Sequence, residues 1–339
     1  MIKGHNFDKK TLIHPSQYPS NLDCFMKKLK RKSSGYSPIS RKVLSGIRKS
    51  INRKVIDISE FKNAKIDAEK LEKSVISEKA LSELDPLHGV YAYAQNKISV
   101  LVEQIAELPA LSKLTNAYAD AMDIYMPSGP PMSPLTTSYF SCWGFFDLCV
   151  GIKKESFGTI IIDICRSLNV DQGLIKIFEY MQNSRMGFYI HEGISEGFVH
   201  LRELITQKQV KVIVPSGYMG NQGEIWFARI MPEPFAKLNY GYSVVFTTPY
   251  IISEMRNERY VFSSEKSWEL FFERNLGKTK IDNRNGAYEF LVKFGLNRNY
   301  WNEYIFEGYV NHQDDMILLA GFPDIPLSRP HSKENSERF

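Results

Sequence analysis

The first regular alternation of apolar and polar positions begins at residue 37. Ser37-Pro38 reads as an N-cap followed by proline at the first helical position, and Leu44, Ile47, Ile51 and Val55 follow at spacings of three and four. Lys42, Lys49 and Arg53 fall opposite this narrow apolar stripe and Arg41 and Arg48 flank it, which predicts a basic amphipathic helix. Phe61, Ala64, Ala68, Leu71 and Val75 repeat in the same way after Ser59, so a second helix is expected there, closed by Pro86. Segments 90–108 and 110–125 read as two further helices separated at Pro109. Four prolines within Met126-Pro127-Ser128-Gly129-Pro130-Pro131-Met132-Ser133-Pro134 forbid regular structure and mark the best candidate for a domain boundary. Beyond it, 139–152 and 159–168 read as buried helices.

From Gly187 the period changes. Phe188-Tyr189-Ile190, Phe198-Val199-His200-Leu201, Val210-Lys211-Val212-Ile213-Val214, Glu224-Ile225-Trp226-Phe227-Ala228 and Tyr242-Ser243-Val244-Val245-Phe246 are β-branched or aromatic runs between short turns. Five such runs predict an antiparallel β meander or small barrel. Helices return at 268–274, 288–294 and 300–309, and a short strand is expected at 316–320. The expected fold is therefore α+β: a helical N-terminal part, then the meander or barrel, with C-terminal helices. The expected division is a basic arm with its amphipathic helix (1–58), a helical region (59–126) and a mixed domain (135–330) holding the meander at 187–250. Leu201-Arg202-Glu203-Leu204-Ile205-Thr206, the turn at 217–223 and Ile225-Trp226-Phe227-Ala228-Arg229 resemble a small β module of uncharacterised bacterial proteins. Some of those carry a cysteine-rich zinc tail, which is absent here. The resemblance covers about 60 residues and implies a fold element without an activity.

With 339 residues, two domains or one large domain with an extension are expected. A hydrophobic share of 43% argues against global disorder. The longest apolar tract, 139–152, carries Asp147 and falls short of the roughly 20 residues of a spanning helix. The basic amino terminus lacks an apolar core, so no secretory signal is expected. Cys24, Cys142, Cys149 and Cys165 form no CxxC pair and read as buried free thiols of a cytoplasmic protein. Charge is uneven. Residues 1–54 hold 14 Lys or Arg against Asp8 and Asp23, a balance of +12, and the net +5 of the chain leaves −7 for residues 55–339. A basic arm on an acidic body points to DNA or RNA, because clustered cations release the counterions of phosphates. Lys27, Lys28, Lys30, Arg31, Lys32, Arg41, Lys42, Arg48, Lys49, Arg53 and Lys54 would carry that contact. An anionic membrane surface, or docking of the arm on the acidic body, would use the same residues. Residues 187–250 hold five basic and five acidic side chains, so net charge on the β segment does not favour phosphate.

Two clusters suggest chemistry. His312, Asp314 and Asp315, within Asn311-His312-Gln313-Asp314-Asp315, combine an imidazole and two carboxylates as a divalent cation would require, which defines a rival reading as a metal-dependent hydrolase or nuclease. A helix end followed by a turn explains the same residues. His191, Glu192 and Glu196 place an imidazole near two carboxylates, the groups of acid–base catalysis. Gly217-Tyr218-Met219-Gly220-Asn221-Gln222-Gly223 lacks a following Lys-Ser or helix, so a hairpin loop accounts for it better than a phosphate cradle. Tyr300, Trp301, Tyr304, Ile305 and Tyr309 have the spacing of a packed helical face. No GxSxG, HExxH or kinase signature occurs, so whether the chain is an enzyme stays open. The leading expectation is a cytosolic binding or regulatory protein that contacts nucleic acid; a structural or partner-binding protein without a small-molecule site is the third.

Overall fold

A computed structural model describes residues 35–51, 66, 70, 76–126, 137–235, 237–256, 259–262, 264–294 and 315–319. The chain divides into two units, Met1–Tyr36 and Ser37–Phe339. The elements below belong to the second, so the helices before the proline-rich connector and the strands after it share one unit.

Helix α1 (Pro38–Ile51) opens with the expected proline. Its first amides are capped from a distance: the Ile39 and Ser40 N–H groups donate to Glu155 Oε1 at 2.7 and 3.2 Å. A carboxylate at that end satisfies orphan donors and complements the helix dipole. Ser40, Val43 and Leu44 are the buried positions, while Ile47 is half-buried. The buried stripe is thus rotated about one residue from the expected Leu44–Ile47 line, because the Glu155 cap and the contact with the 157–167 helix set the helix's roll. Helix α2 (Glu78–Ser82) is short and capped by Ser77. Pro86, expected to end a helix, begins one: α3 (Pro86–Ala106) has Asp85 as N-cap, its Oδ1 accepting from the Leu87 and His88 amides. Leu87, Tyr91, Ala94, Ile98, Val102 and Ile105 form its buried face. A 3-10 turn at Pro109–Leu111 leads into α4 (Ser112–Tyr125). Helices α5 (Thr137–Phe146), α6 (Phe157–Ser167) and α7 (Gln172–Asn183) follow. A Ser156/Thr159 capping box starts α6 and an Asp171 cap starts α7.

Five strands then close on themselves: β1 (Met186–Ser195), β2 (Phe198–Glu203), β3 (Gln209–Ile213), β4 (Ile225–Met231) and β5 (Ser243–Val245). The ring runs β1-β2-β3-β5-β4 and back to β1. All neighbours are antiparallel except β3 and β5, which pair in parallel through Val212↔Ser243 and Ile213↔Val244. The result is a small mixed barrel, closed where a plain meander would leave edges. Period-two alternation fills its interior with Tyr189, Val199, Leu201, Val212, Trp226, Ala228 and Val245. The opposite face of β1 and β4 meets helices: Phe188 stacks near Phe227, Trp268 and Phe272 at centroid distances of 5.0 Å each. Strand β6 (Tyr250–Arg256) extends the sheet from β4 and pairs with β7 (Arg259–Phe262) and β8 (Asp315–Leu319). Helices α8 (Glu265–Leu276) and α9 (Arg284–Phe294) complete the described chain. No described helix is long and apolar enough to cross a membrane.

Candidate functional site

The turn between β1 and β2 sets up one outward face of the barrel. Glu196 and Gly197 both take positive φ there, 53° and 79°, reversing the chain in two residues. Phe198, His200 and Arg202 then point outward from β2, and Gln209 and Lys211 from β3, with His200 directly opposite Lys211. Phe198, His200 and Lys211 are half-buried. The loop from β4 to β5 adds Tyr240 and Tyr242: the Phe198 and Tyr242 rings lie 5.2 Å apart at 44°, and Tyr240 and Tyr242 lie 5.7 Å apart at 42°. Lys211 Nζ sits 4.0 Å from the Phe198 centroid. The Tyr242 hydroxyl donates to Asp85 Oδ2 at 2.8 Å, tying the aromatic row to the start of α3; burial and then that carboxylate push its pKa up. Ser195 Oγ and His200 Nε2 are 2.6 Å apart. Among the described residues no carboxylate bonds the other imidazole nitrogen, the place of the orienting group in a nucleophilic set.

His191, Glu192 and Glu196 do not converge. His191 is buried against Trp226, its Nε2 2.9 Å from the Met219 carbonyl oxygen. Glu192, one residue on, faces outward and accepts from Arg202 Nε at 2.7 Å. Glu196 is exposed on the turn, 3.7 Å from Lys211 Nζ. Alternation along a strand accounts for the first separation. Among the described residues no group of three or more His, Cys, Asp or Glu is placed to hold a metal ion. His312 and Asp314 lie outside the described residues, and Asp315 opens β8 in register with Glu254. Lys27, Lys28, Lys30, Arg31, Lys32, Arg53 and Lys54 also lie outside them. On α1, Arg41, Lys42 and Lys49 are exposed and form no ion pair among the described residues; Arg48 is half-buried. The 217–223 loop closes around a buried carboxylate: Glu224 accepts from the Tyr218 hydroxyl at 2.9 Å, Asn221 Nδ2 at 2.9 Å and Trp226 Nε1 at 2.8 Å. The expected hairpin is not what forms: the loop joins β3 to β4, which are not paired because β5 lies between them, and its Tyr218 and Met219 pack on the barrel interior as a plug over one end.

The other end of the barrel is open. A cavity of about 230 Å³ lies there, between the ends of β2 to β5 and the last turn of α7. At its wall Arg185 is held by two carboxylates. Its Nε and Nη2 donate to Glu289 at 2.7 and 2.5 Å, and its Nη1 donates to Glu203 and, at 3.2 Å, to the Met186 carbonyl. Burial pushes the Glu289 carboxyl up, but its bonds and charge attraction to Arg185, aided by Lys293 and Lys208, outweigh this and hold it below the usual 4.5. Gly187 makes the approach possible, since a Cβ there would stand 2.6 Å from Arg185 Nη1, 2.7 Å from Tyr189 Oη and 2.8 Å from Glu203 Oε1.

Behind the cavity is a deeper ion cluster. Arg229 donates to Asp147 and, at 3.1 Å, to the Ser184 carbonyl; Lys293 Nζ lies 3.2 Å from Asp147 Oδ1 and 2.8 Å from the same carbonyl. Burial lowers the Lys293 pKa against the pull of Asp147. The carbonyls ending α7 supply the negative potential that a second buried cation needs. None of these groups was singled out in the sequence, because the partners stand 45 to 146 residues apart. The outward row was readable in part, as Phe198-Val199-His200-Leu201-Arg202 alternates strictly. No family model, curated protein or solved structure matches the chain.

Proposed function

We propose that the protein binds single-stranded nucleic acid, stacking bases on the β2–β3 face and neutralising phosphates with the cations of α1 and of the N-terminal segment. The observation that carries this reading is the row Phe198, Tyr242 and Tyr240, flanked on the same barrel face by Lys211 and His200. Aromatic faces accept any base, and adjacent cations meet the backbone between bases. Five-stranded barrels of the oligonucleotide- and oligosaccharide-binding type offer ligands the face of strands 2 and 3 with the 1–2 and 4–5 loops. Phe198, Lys211, Tyr240 and Tyr242 occupy those places, a likeness of topology alone. The basic residues of 1–54 favour a polyanion over a neutral glycan. Cytoplasmic residence belongs to the same proposal, with Cys142, Cys149 and Cys165 as buried free thiols.

The test is fluorescence anisotropy with labelled single-stranded and duplex DNA and RNA across a salt series. Phe198→Ala and Tyr240→Ala are each expected to weaken single-strand binding roughly 5- to 150-fold, the worth of one stacked base. Removing residues 1–36 is expected to flatten the salt dependence. Wild-type affinity in both aromatic variants would overturn the stacking reading, and equal binding of duplex would overturn the preference for single strands.

A further inference from the structure

The cavity at the open end of the barrel is distinct from the outward face. We propose that it receives one nucleobase ring, from a free nucleoside or from one base of a strand. At about 230 Å³ it lies below the roughly 300–1,000 Å³ of pockets for drug-sized ligands, so it has room for one ring system.

Charge decides against an anion. Arg185 is the buried cation at the wall, and four of its five donors are engaged, three of the bonds running to Glu203 and Glu289. An entering phosphate or carboxylate would meet a guanidinium already bonded to two carboxylates; Lys208, exposed at the rim, is the second lining cation, so the two cations and two carboxylates of the lining cancel and no net positive field draws an anion in. The groups left to a ligand are of another kind. Tyr180 and Tyr189 give aromatic surface, while Val210, Ile230 and Pro232 give apolar surface. The Asn183 amide and the Ser243 hydroxyl make no side-chain hydrogen bond among the described residues, and both line the cavity. An amide offers donors and an acceptor and a hydroxyl offers either, which suits the mixed edge of a purine or pyrimidine. A polyol would set hydroxyls against the three apolar walls at the cost of unmade hydrogen bonds. A hydrocarbon would leave the half-buried Ser243 hydroxyl without a partner, while the exposed Asn183 amide would keep its water.

The arrangement is built rather than incidental space. Gly187 lets Arg185, Glu203 and Tyr189 close to distances that any Cβ would block. The wall is thereby fixed before a ligand arrives, which lowers the ordering cost of binding.

The free-nucleoside arm stands apart from the reading of the outward face, and the strand arm rests on it. Isothermal titration of the full chain with adenosine, guanosine, cytidine, uridine, glucose and inorganic phosphate separates the chemistries. At least one nucleoside is expected to bind, and glucose and phosphate are not. Ser243→Phe, which fills the cavity from β5, is expected to weaken nucleoside binding about tenfold or more. Asn183→Ala, at an exposed position where truncation leaves the core intact, is expected to cost roughly two- to tenfold, one neutral hydrogen bond. The thermal midpoint of each variant is read alongside. If nucleosides bind but a strand does not compete for the cavity, the strand arm alone is overturned. The cavity proposal is overturned if no nucleoside binds at about 5 mM, weaker than any specific site of this size. It is also overturned if folded Ser243→Phe and Asn183→Ala proteins both keep wild-type affinity, or if glucose or phosphate binds as tightly. Phe198→Ala tests the outward face: nucleoside binding that is lost in Phe198→Ala but kept in Ser243→Phe and Asn183→Ala would assign the ligand to that face and overturn the cavity proposal, so the two readings fail separately.

Discussion

Replacing Asp147 by Asn removes one charge from a buried set of three. Asp147, Arg229 and Lys293 have side chains 3%, 0% and 12% exposed, so water screens none of them well. The wild-type set already carries one surplus positive charge, balanced by the Ser184 and Gln182 carbonyls. In Asp147→Asn two cations face each other around a neutral amide. Unit charges about 4 Å apart interact by roughly 4 kcal/mol at an effective dielectric near 20, and breaking a buried pair costs about 3–5 kcal/mol. Arg229→Met leaves Asp147 paired with Lys293 and should cost about 1–3 kcal/mol, mostly the hydrogen bonds to Ser184. Lys293→Met leaves Asp147 with Arg229 and should cost about 0–1.5 kcal/mol. Stability should therefore fall in the order Asp147→Asn, Arg229→Met, Lys293→Met, measured by urea unfolding at pH 7 with m-values compared. The Asp147→Asn deficit should shrink as pH rises. The folded Lys293 holds its proton less tightly than the unfolded chain's usual 10.5, so the native state gains stability through the window below that value. Equal losses for Asp147→Asn and Lys293→Met, or a deficit independent of pH, would refute the account.

Gly187→Ala should lower stability by about 1–3 kcal/mol in a thermal melt, because the new methyl meets the Arg185–Glu203 contact. Glu289→Gln should flatten the acid limb of the stability curve. The wild-type carboxylate contributes stability above pH 4.5 that is lost as pH falls through its depressed folded value, and the amide cannot titrate. Cys142 and Cys165, whose thiols burial pushes up to about 11, should react with a thiol reagent at pH 8 only as fast as the fold opens, and at once in denaturant.

Local pattern carried well into the structure where one face of an element is buried. The five β runs from Phe188 to Phe246 lie in or beside the five barrel strands, and the helices expected at 159–168, 268–274 and 288–294 fall on α6, α8 and α9. What stayed hidden is non-local. The parallel pairing of β3 with β5 joins residues some thirty apart and leaves no mark on either run. Helix α7 and the β6–β7 hairpin went unassigned, and Pro86 misled because its role depends on the Asp85 cap before it rather than on proline alone. At the candidate site the same division holds. Alternation exposes Phe198 and His200 on one face, but only folding brings Tyr242 to Phe198, and Arg185 to Glu203 and Glu289. His191 and Glu192 looked like partners for being adjacent, yet adjacent residues in a strand face apart.

Strand β5 is three residues long and is stitched to β4 and to β3 by two residue pairs on each side. It is the thinnest seam in the wall, and transient opening of the barrel should begin there, with amide exchange at Val244 and Val245 faster than at Val199 and Leu201. Tyr242 immediately precedes that seam. Anything laid across Tyr242 and Phe198 would cross β3 between β5 and β2 and hold the β3–β5 join shut, so that occupancy of the outer surface and breathing of the interior become one equilibrium.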